Sequence, residues 1–192
     1  TNTTMTLGDA NTALTLTADV VLNTAGGAMN INGAVNATTA NTESLSLNAG
    51  SAGAISVSAD VGQTKSLKTL TLVNSNGATF SNPVTTGTSV VLSDTTDAQV
   101  IRFAGNLTTP TLTTTAEPYA LELVGSTTTI TNATTFLNTG ALTLGDAATD
   151  QLTFAGGLVA TAPSAISLAG TVGTTNTTMT LGDANTALTL TA

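Results

Sequence analysis

Cysteine, histidine and tryptophan are missing from this 192-residue chain, and each absence closes a class of chemistry. Without cysteine there is no disulfide scaffold and no thiolate metal site, and the redox compartment stays open. Without histidine a serine nucleophile lacks its usual base, and no Gly-x-Ser-x-Gly stretch is present either. Charge is scarce too. Charged residues make up 7% of the chain, against roughly 25% in ordinary soluble domains. Only Lys65, Lys68 and Arg102 are basic, and they face eleven acids for a net charge of −8. Phosphate recognition needs clustered cations, so nucleic acid is excluded as an expected partner. No apolar run of about 18 residues occurs, so neither a membrane span nor membrane insertion is expected. No signal peptide is visible; a secreted protein would carry its export signals elsewhere.

What remains is small and hydroxylated. Threonine supplies 46 of the 192 residues, and a hydrophobic fraction of 41% is nearly all Leu, Val, Ile and Ala, with aromatics at 3%. A core of small aliphatic side chains suits a thin cross-section and fills a wide globule poorly. Threonine favours strands, and the usual helix-forming polar residues are nearly absent. A mean hydropathy of +0.31 argues against disorder, despite the low complexity.

Alternation with a period of two recurs in one phrase: an apolar–polar–apolar strand, a small or polar stretch, then Val or Leu. It is found as ALTLTADV (13–20), AMNINGAV (28–35), AISVSADV (54–61), VIRFAGNL (100–107), QLTFAGGL (151–158) and AISLAGTV (165–172). Gly-Gly and Asn-Gly pairs, and the phrase LGDA at 7–10, 144–147 and 181–184, supply turns between such runs. Pro83, Pro110, Pro118 and Pro163 fall in or beside polar connections. The phrases starting at residues 28, 54, 78 and 100 are 26, 24 and 22 residues apart. Each interval holds two or three short strands, as does one coil of a β-solenoid. The expected fold is therefore all-β: a parallel β-helix of about seven or eight irregular coils per 174 residues, roughly 35–40 Å long. Extra residues are expected near 36–42 and 112–119. The alternative is a tandem of Ig-like β-sandwiches, which the absence of a central Trp disfavours.

The first eighteen residues, TNTTMTLGDANTALTLTA, recur unchanged at 175–192. Residues 1–174 then form one tandem repeat, and 175–192 begin the next. The stretches GAISVSADVGQTKSLKTLTLVNSNGATFSNPV (53–84) and DQLTFAGGLVATAPSAISLAGTV (150–172) resemble the strand repeats of giant bacterial surface proteins of the filamentous-haemagglutinin-like adhesin type. That resemblance implies a right-handed β-helix, export to the cell surface, and work in adhesion, spacing or fibre formation.

For chemistry the sequence offers little. The acid pairs Asp94/Asp97, Glu117/Glu122 and Asp146/Asp150 read as turn or solubility residues rather than a catalytic pair. No enzyme activity and no cofactor are expected. Asp9, Asp146 and Asp183 share LGDA, and Asp19 and Asp60 share ADV; stacked in register, such acids would offer Ca²⁺ its oxygen ligands. Thr-x-Thr triplets at 15–17, 69–71, 111–113 and 189–191 would order water if they lined one flat face. Asn2, Asn36, Asn106, Asn132 and Asn176 lie in glycan-acceptor triplets. A Lys–Asn crosslink through Lys65 or Lys68 would need the sandwich fold. Tyr119, in LTTTAEPYALELVGS (112–126), marks the best place for a protruding loop. Two functions follow as expectations: an extracellular stalk or filament segment whose partner is itself, end to end; or an adhesive module binding glycans or another cell.

Overall fold

A computed structural model describes residues 3–191. Its strands run from two to nine residues, too short to be stable alone, so each is held by the equivalent strand one coil away. Every pairing between strands is parallel, and no helix occurs among the described residues. The chain is a β-solenoid of about eight coils. An Ig-like sandwich, being antiparallel, is thereby excluded.

Each coil has three faces. Face one stacks Met5–Leu7, Met29–Ile31, Ile55–Val57, Ala78–Phe80, Val100–Phe103, Ala120–Leu123, Leu142–Leu144, Ala165–Leu168 and Ala187–Leu190. Face two stacks Leu14–Leu16, Val35–Ala37, the single bridging residue Val61, the first part of Val84–Leu92, Leu107–Thr109, Thr127–Ile130, Gln151–Phe154 and Thr171–Thr174. Face three begins with Val20–Asn23, Leu45–Asn48, Leu67–Asn74 and the second part of Val84–Leu92. It continues through Thr111–Thr114, Thr134–Thr135, Leu158–Ala160 and Met179–Leu181.

On face one the in-register residues are Met5, Met29, Ile55, Ala78, Ile101, Leu121, Leu142, Ile166 and Leu188. Their eight steps, at about 4.8 Å each, make a rod roughly 38 Å long. The longest step, Met29 to Ile55, contains the expected insertion near 36–42. There the Glu43 carboxylate accepts the Thr38 N–H at 2.9 Å, and Asn41 adopts φ +67° while its N–H reaches the Ser66 carbonyl at 2.8 Å. The expectation of extra residues at 112–119 is corrected. Ile101 pairs with Leu121, so this coil is the shortest, because Leu107–Thr109 and Thr111–Thr114 are separated by Pro110 alone.

The recurring phrase encodes a strand, a corner and the next strand, rather than a particular face. AMNINGAV, AISVSADV, VIRFAGNL and AISLAGTV run from face one to face two. ALTLTADV and QLTFAGGL run from face two to face three. In LGDA the glycine turns the corner: Gly8, Gly145 and Gly182 have φ of +66°, +77° and +72°, a region other residues enter at a steric cost.

The core is a single column of inward residues one side chain deep. Leu47, Leu72, Phe103, Leu121, Leu144 and Phe154 are fully buried within it. All five aromatic side chains of the chain, Phe80, Phe103, Tyr119, Phe136 and Phe154, face inward. The Phe80 and Phe103 rings stack at 4.7 Å and 5°, while Phe136 meets Phe154 edge-on at 5.9 Å. Threonine also enters this column. Thr86 and Thr109 are buried on adjacent coils, and their hydroxyls bond each other at 2.7 Å, which meets the polar requirement of burial.

Candidate functional surfaces

Corner geometry decides what the acidic residues can do. After the left-handed glycine of LGDANT, the aspartate folds back on its own backbone. Asp9 Oδ1 accepts the Asn11 N–H at 2.9 Å, and Asp183 Oδ1 accepts the Asn185 N–H at 2.7 Å and the Thr186 hydroxyl at 3.0 Å. These are Asx-turns, an ordinary use of aspartate. The backbone N–H two residues on, helped by the threonine hydroxyl, lowers both carboxyls below their usual 3.8. In the LGDA at 144–147, Asp150 takes this place: its carboxylate accepts the N–H of Asp146 at 2.9 Å and of Ala147 at 3.0 Å. Asp146 is left to reach Arg102 at 3.3 Å.

The structure does not bring Asp9, Asp146 and Asp183 together. Asp9 follows face one in the first coil and Asp146 follows face one in the seventh, six coils away. Asp183 follows face three, at a different corner. Asp19 and Asp60 are separated likewise: the Asp19 carboxylate accepts the Ser44 N–H at 2.8 Å before face three, and Asp60 precedes Val61 on face two. Among the described residues, no three acids cluster as metal ligands. The pair Asp146/Asp150 closes a turn, and Glu122 belongs to Arg102.

A short charged ladder on face one escaped the sequence reading. Arg102 bonds Glu122 one coil on and Asp146 two coils on. These partners lie 20 and 44 residues away, and only the strand register reveals them. The group is half-exposed, so it contributes at most about 1 kcal/mol, screened by salt. Lys65 spends its ammonium on the Thr38 carbonyl at 2.5 Å and braces the long corner.

The Thr-x-Thr triplets disperse over all three faces: 15–17 on face two, 69–71 and 111–113 on face three, 189–191 on face one. A threonine row does form elsewhere, outward on face two, where Thr85, Thr108, Thr129 and Thr153 stack in register. Aligning LTT (107–109), TTTI (127–130) and QLTF (151–154) on their inward residues would have found it.

Tyr119 is not on a protruding loop. It is buried at a corner, its hydroxyl donating to the Leu92 carbonyl at 3.2 Å and accepting the Thr115 N–H at 3.3 Å. Burial pushes its phenol above the usual 10.0. No exposed aromatic therefore remains as a sugar-stacking platform among the described residues. Of the glycan-acceptor asparagines, Asn36 accepts the N–H of Thr64 and Lys65 at 3.0 and 3.2 Å, Asn106 that of Thr127 at 3.0 Å, and Asn132 donates to the Thr111 hydroxyl at 2.9 Å. Asn176 lies in an exposed corner with φ +54°. Asn2 lies outside the described residues.

The least satisfied surfaces are the two ends of the rod. At the first coil, Leu7, Leu14, Leu16, Val20, Leu22 and Ile31 line an apolar hollow of about 310 Å³ continuous with the core. At the last strand, Leu188 and Leu190 are 47% and 76% exposed. Both ends also carry strand edges bonded on one side only.

The lowered carboxyls give one solution prediction. Folding depresses Asp9, Asp183 and also Glu43, whose usual value is 4.5, so the unfolded chain binds more protons in acid. Their stabilisation is complete above the usual carboxyl range and is lost as pH falls through the folded values, which lie below 3.8 for the two aspartates and below 4.5 for Glu43. Melting temperature should drop on acidification below about pH 4, and the double variant Asp9→Asn, Asp183→Asn should show a shallower drop in thermal melts. An unchanged acid limb would mean that these turns do not bind their carboxylates in solution.

No family model, curated protein or solved structure matches the chain.

Proposed function

We propose that this chain is a structural segment of a long extracellular filament, stalk or giant adhesin, supplying length, stiffness and self-association without chemistry of its own. The eighteen-residue repetition, set on a continuous stack of parallel coils, carries this reading. In such a stack each coil templates the parallel pairing of the next, and the inward apolar column adds a non-directional drive to continue it. The eighteen-residue repetition supplies a matching continuation: a second unit in the same polypeptide, or a second subunit stacked end to end. The texture shared with filamentous-haemagglutinin-like adhesins supports a cell-surface setting. An outer surface of threonine, serine and asparagine, wetted by hydroxyls and amides, suits a passive rod exposed to changing salt. Glycan binding remains the lesser reading, because the aromatic side chains that would stack on sugars face the core.

Electron microscopy of a chain of several consecutive 174-residue units tests the proposal. Continuous rods with a spacing near 4.8 Å and about 37 Å of length per unit are expected. Separate beads, one per unit, would refute it.

A further inference from the structure

The two copies of the eighteen-residue phrase occupy different faces. In the first copy Met5–Leu7 lies on face one and Leu14–Leu16 on face two. In the second, Met179–Leu181 lies on face three and Ala187–Leu190 on face one. Counted from the first Met-Thr-Leu strand up to the second, the chain passes seven full coils of three faces and then two faces more, an offset of 23 face positions. Two of these are easily overlooked: Val61 holds face two of the third coil by bridging alone, and Val84–Leu92 bends across two faces of the fourth. Since 23 is not a multiple of three, the 174-residue offset spans seven and two-thirds coils.

From this we infer that successive units of the array join with a rotation of one face, about 120° about the fibre axis, so that the second copy of the phrase is already seated as the beginning of a rotated unit. The inference rests on the tandem-array reading above. Three things make the seating workable. The phrase is a strand–corner–strand element that does not depend on which corner it turns, and its Asx-turn is the same in both copies. Its inward residues, Met179, Leu181 and Leu188, continue the apolar column over Leu158, Ala160 and Ile166. Its strands also take the open edges they meet in parallel register, Thr180 on Val159 and Thr189 on Ser167.

The consequence is that no residue of the unit keeps to one side of the fibre. The Arg102–Glu122–Asp146 group would face one direction in one unit and the next direction in the following unit. Three units, 522 residues and 23 coils restore the starting phase after about 110 Å. A filament of this kind presents each of its features all the way round. Partners, including other copies of the chain, can then be met from any side.

Engineered disulfides read the seating directly, because the chain has no cysteine of its own. Outward residues paired in parallel register have Cα atoms about 4.8 Å apart, within the disulfide range of roughly 4.4–6.8 Å. In the 192-residue chain, Val159→Cys with Thr180→Cys and Ser167→Cys with Thr189→Cys should oxidise readily. Ser167→Cys with Thr180→Cys, the pair an unrotated junction would bring together, should stay reduced. The opposite pattern overturns the inference. A three-unit chain imaged by cryo-electron microscopy extends the test to the array. Unit averages related by 120° are expected. Rods whose units superimpose without rotation would overturn the rotation and leave the filament standing, whereas three separate beads would remove the filament itself.

Discussion

Phe103→Ala is expected to lower the stability of the rod by about 3–5 kcal/mol, the range for emptying a fully buried phenylalanine site. Phe103 lies in register between Phe80 and Leu123, has no solvent exposure, and stacks on Phe80 at 4.7 Å. A column one side chain deep cannot collapse sideways into the gap, because each coil is held to its neighbours by a ladder of hydrogen bonds. The Phe80 ring would also lose its stacking partner, worth about 0.5–1.5 kcal/mol beyond area. Solenoid stability is a sum over adjacent coils, so the loss should be local. Urea unfolding with hydrogen exchange should find protection falling most in strands 78–80, 100–103 and 120–123, while 29–31 and 55–57 keep theirs. A cost under about 1 kcal/mol, or a loss spread evenly along the chain, would contradict the single-column core.

The second large effect concerns a corner. A Cβ on Gly125 would lie 2.3 Å from the carbonyl oxygen of Gly105 and 2.7 Å from the backbone nitrogen of Asn106, one coil below. Gly105 has the same problem against Asn82, at 2.1 Å. Three consecutive coils therefore touch backbone to backbone here, and nothing flexible is available to move aside. Gly125→Ala should cost about 3 kcal/mol or more, at the upper end of overpacking penalties, by forcing the coils apart where Val124 N–H meets the Phe103 carbonyl at 2.9 Å. Gly173→Ala is the control: nothing lies within 4 Å of its added methyl, and the change should be neutral or stabilise by a few tenths of a kcal/mol. Equal melting temperatures for the two variants would mean that the corner at Gly125 has room the structure denies.

The class of fold was legible in the sequence because inward leucines and outward threonines alternate so plainly in segments such as Leu142–Leu144 and Leu14–Leu16. Face assignment was not. ALTLTADV and AISVSADV look alike, yet one turns the second corner and the other the first, and only the register of neighbouring coils decides between them. Nothing in the local pattern of Val84–Leu92 shows that its Thr86 faces inward against Thr109, an arrangement that needs both coils to be visible. Tyr119 suggested a protruding loop because it is the one Tyr or Trp of the sequence; its ring instead fills a corner beneath the Leu92 carbonyl. The Arg102 ladder belongs to the same class of hidden feature, since its partners become neighbours only once coils of 20 and 21 residues are stacked.

The parallel stacking of short coils also fixes how much chain the rod keeps in reserve. A coil of about 22 residues has a contour length near 75 Å when drawn out at roughly 3.4 Å per residue, yet it advances the axis by only about 4.8 Å. The polypeptide is thus stored at about one-fifteenth of its extended length. Since each coil is bonded only to its neighbours, it can be paid out one loop at a time from a loosened end. A tether built this way would lengthen under a sudden pull before any covalent bond bore the full load.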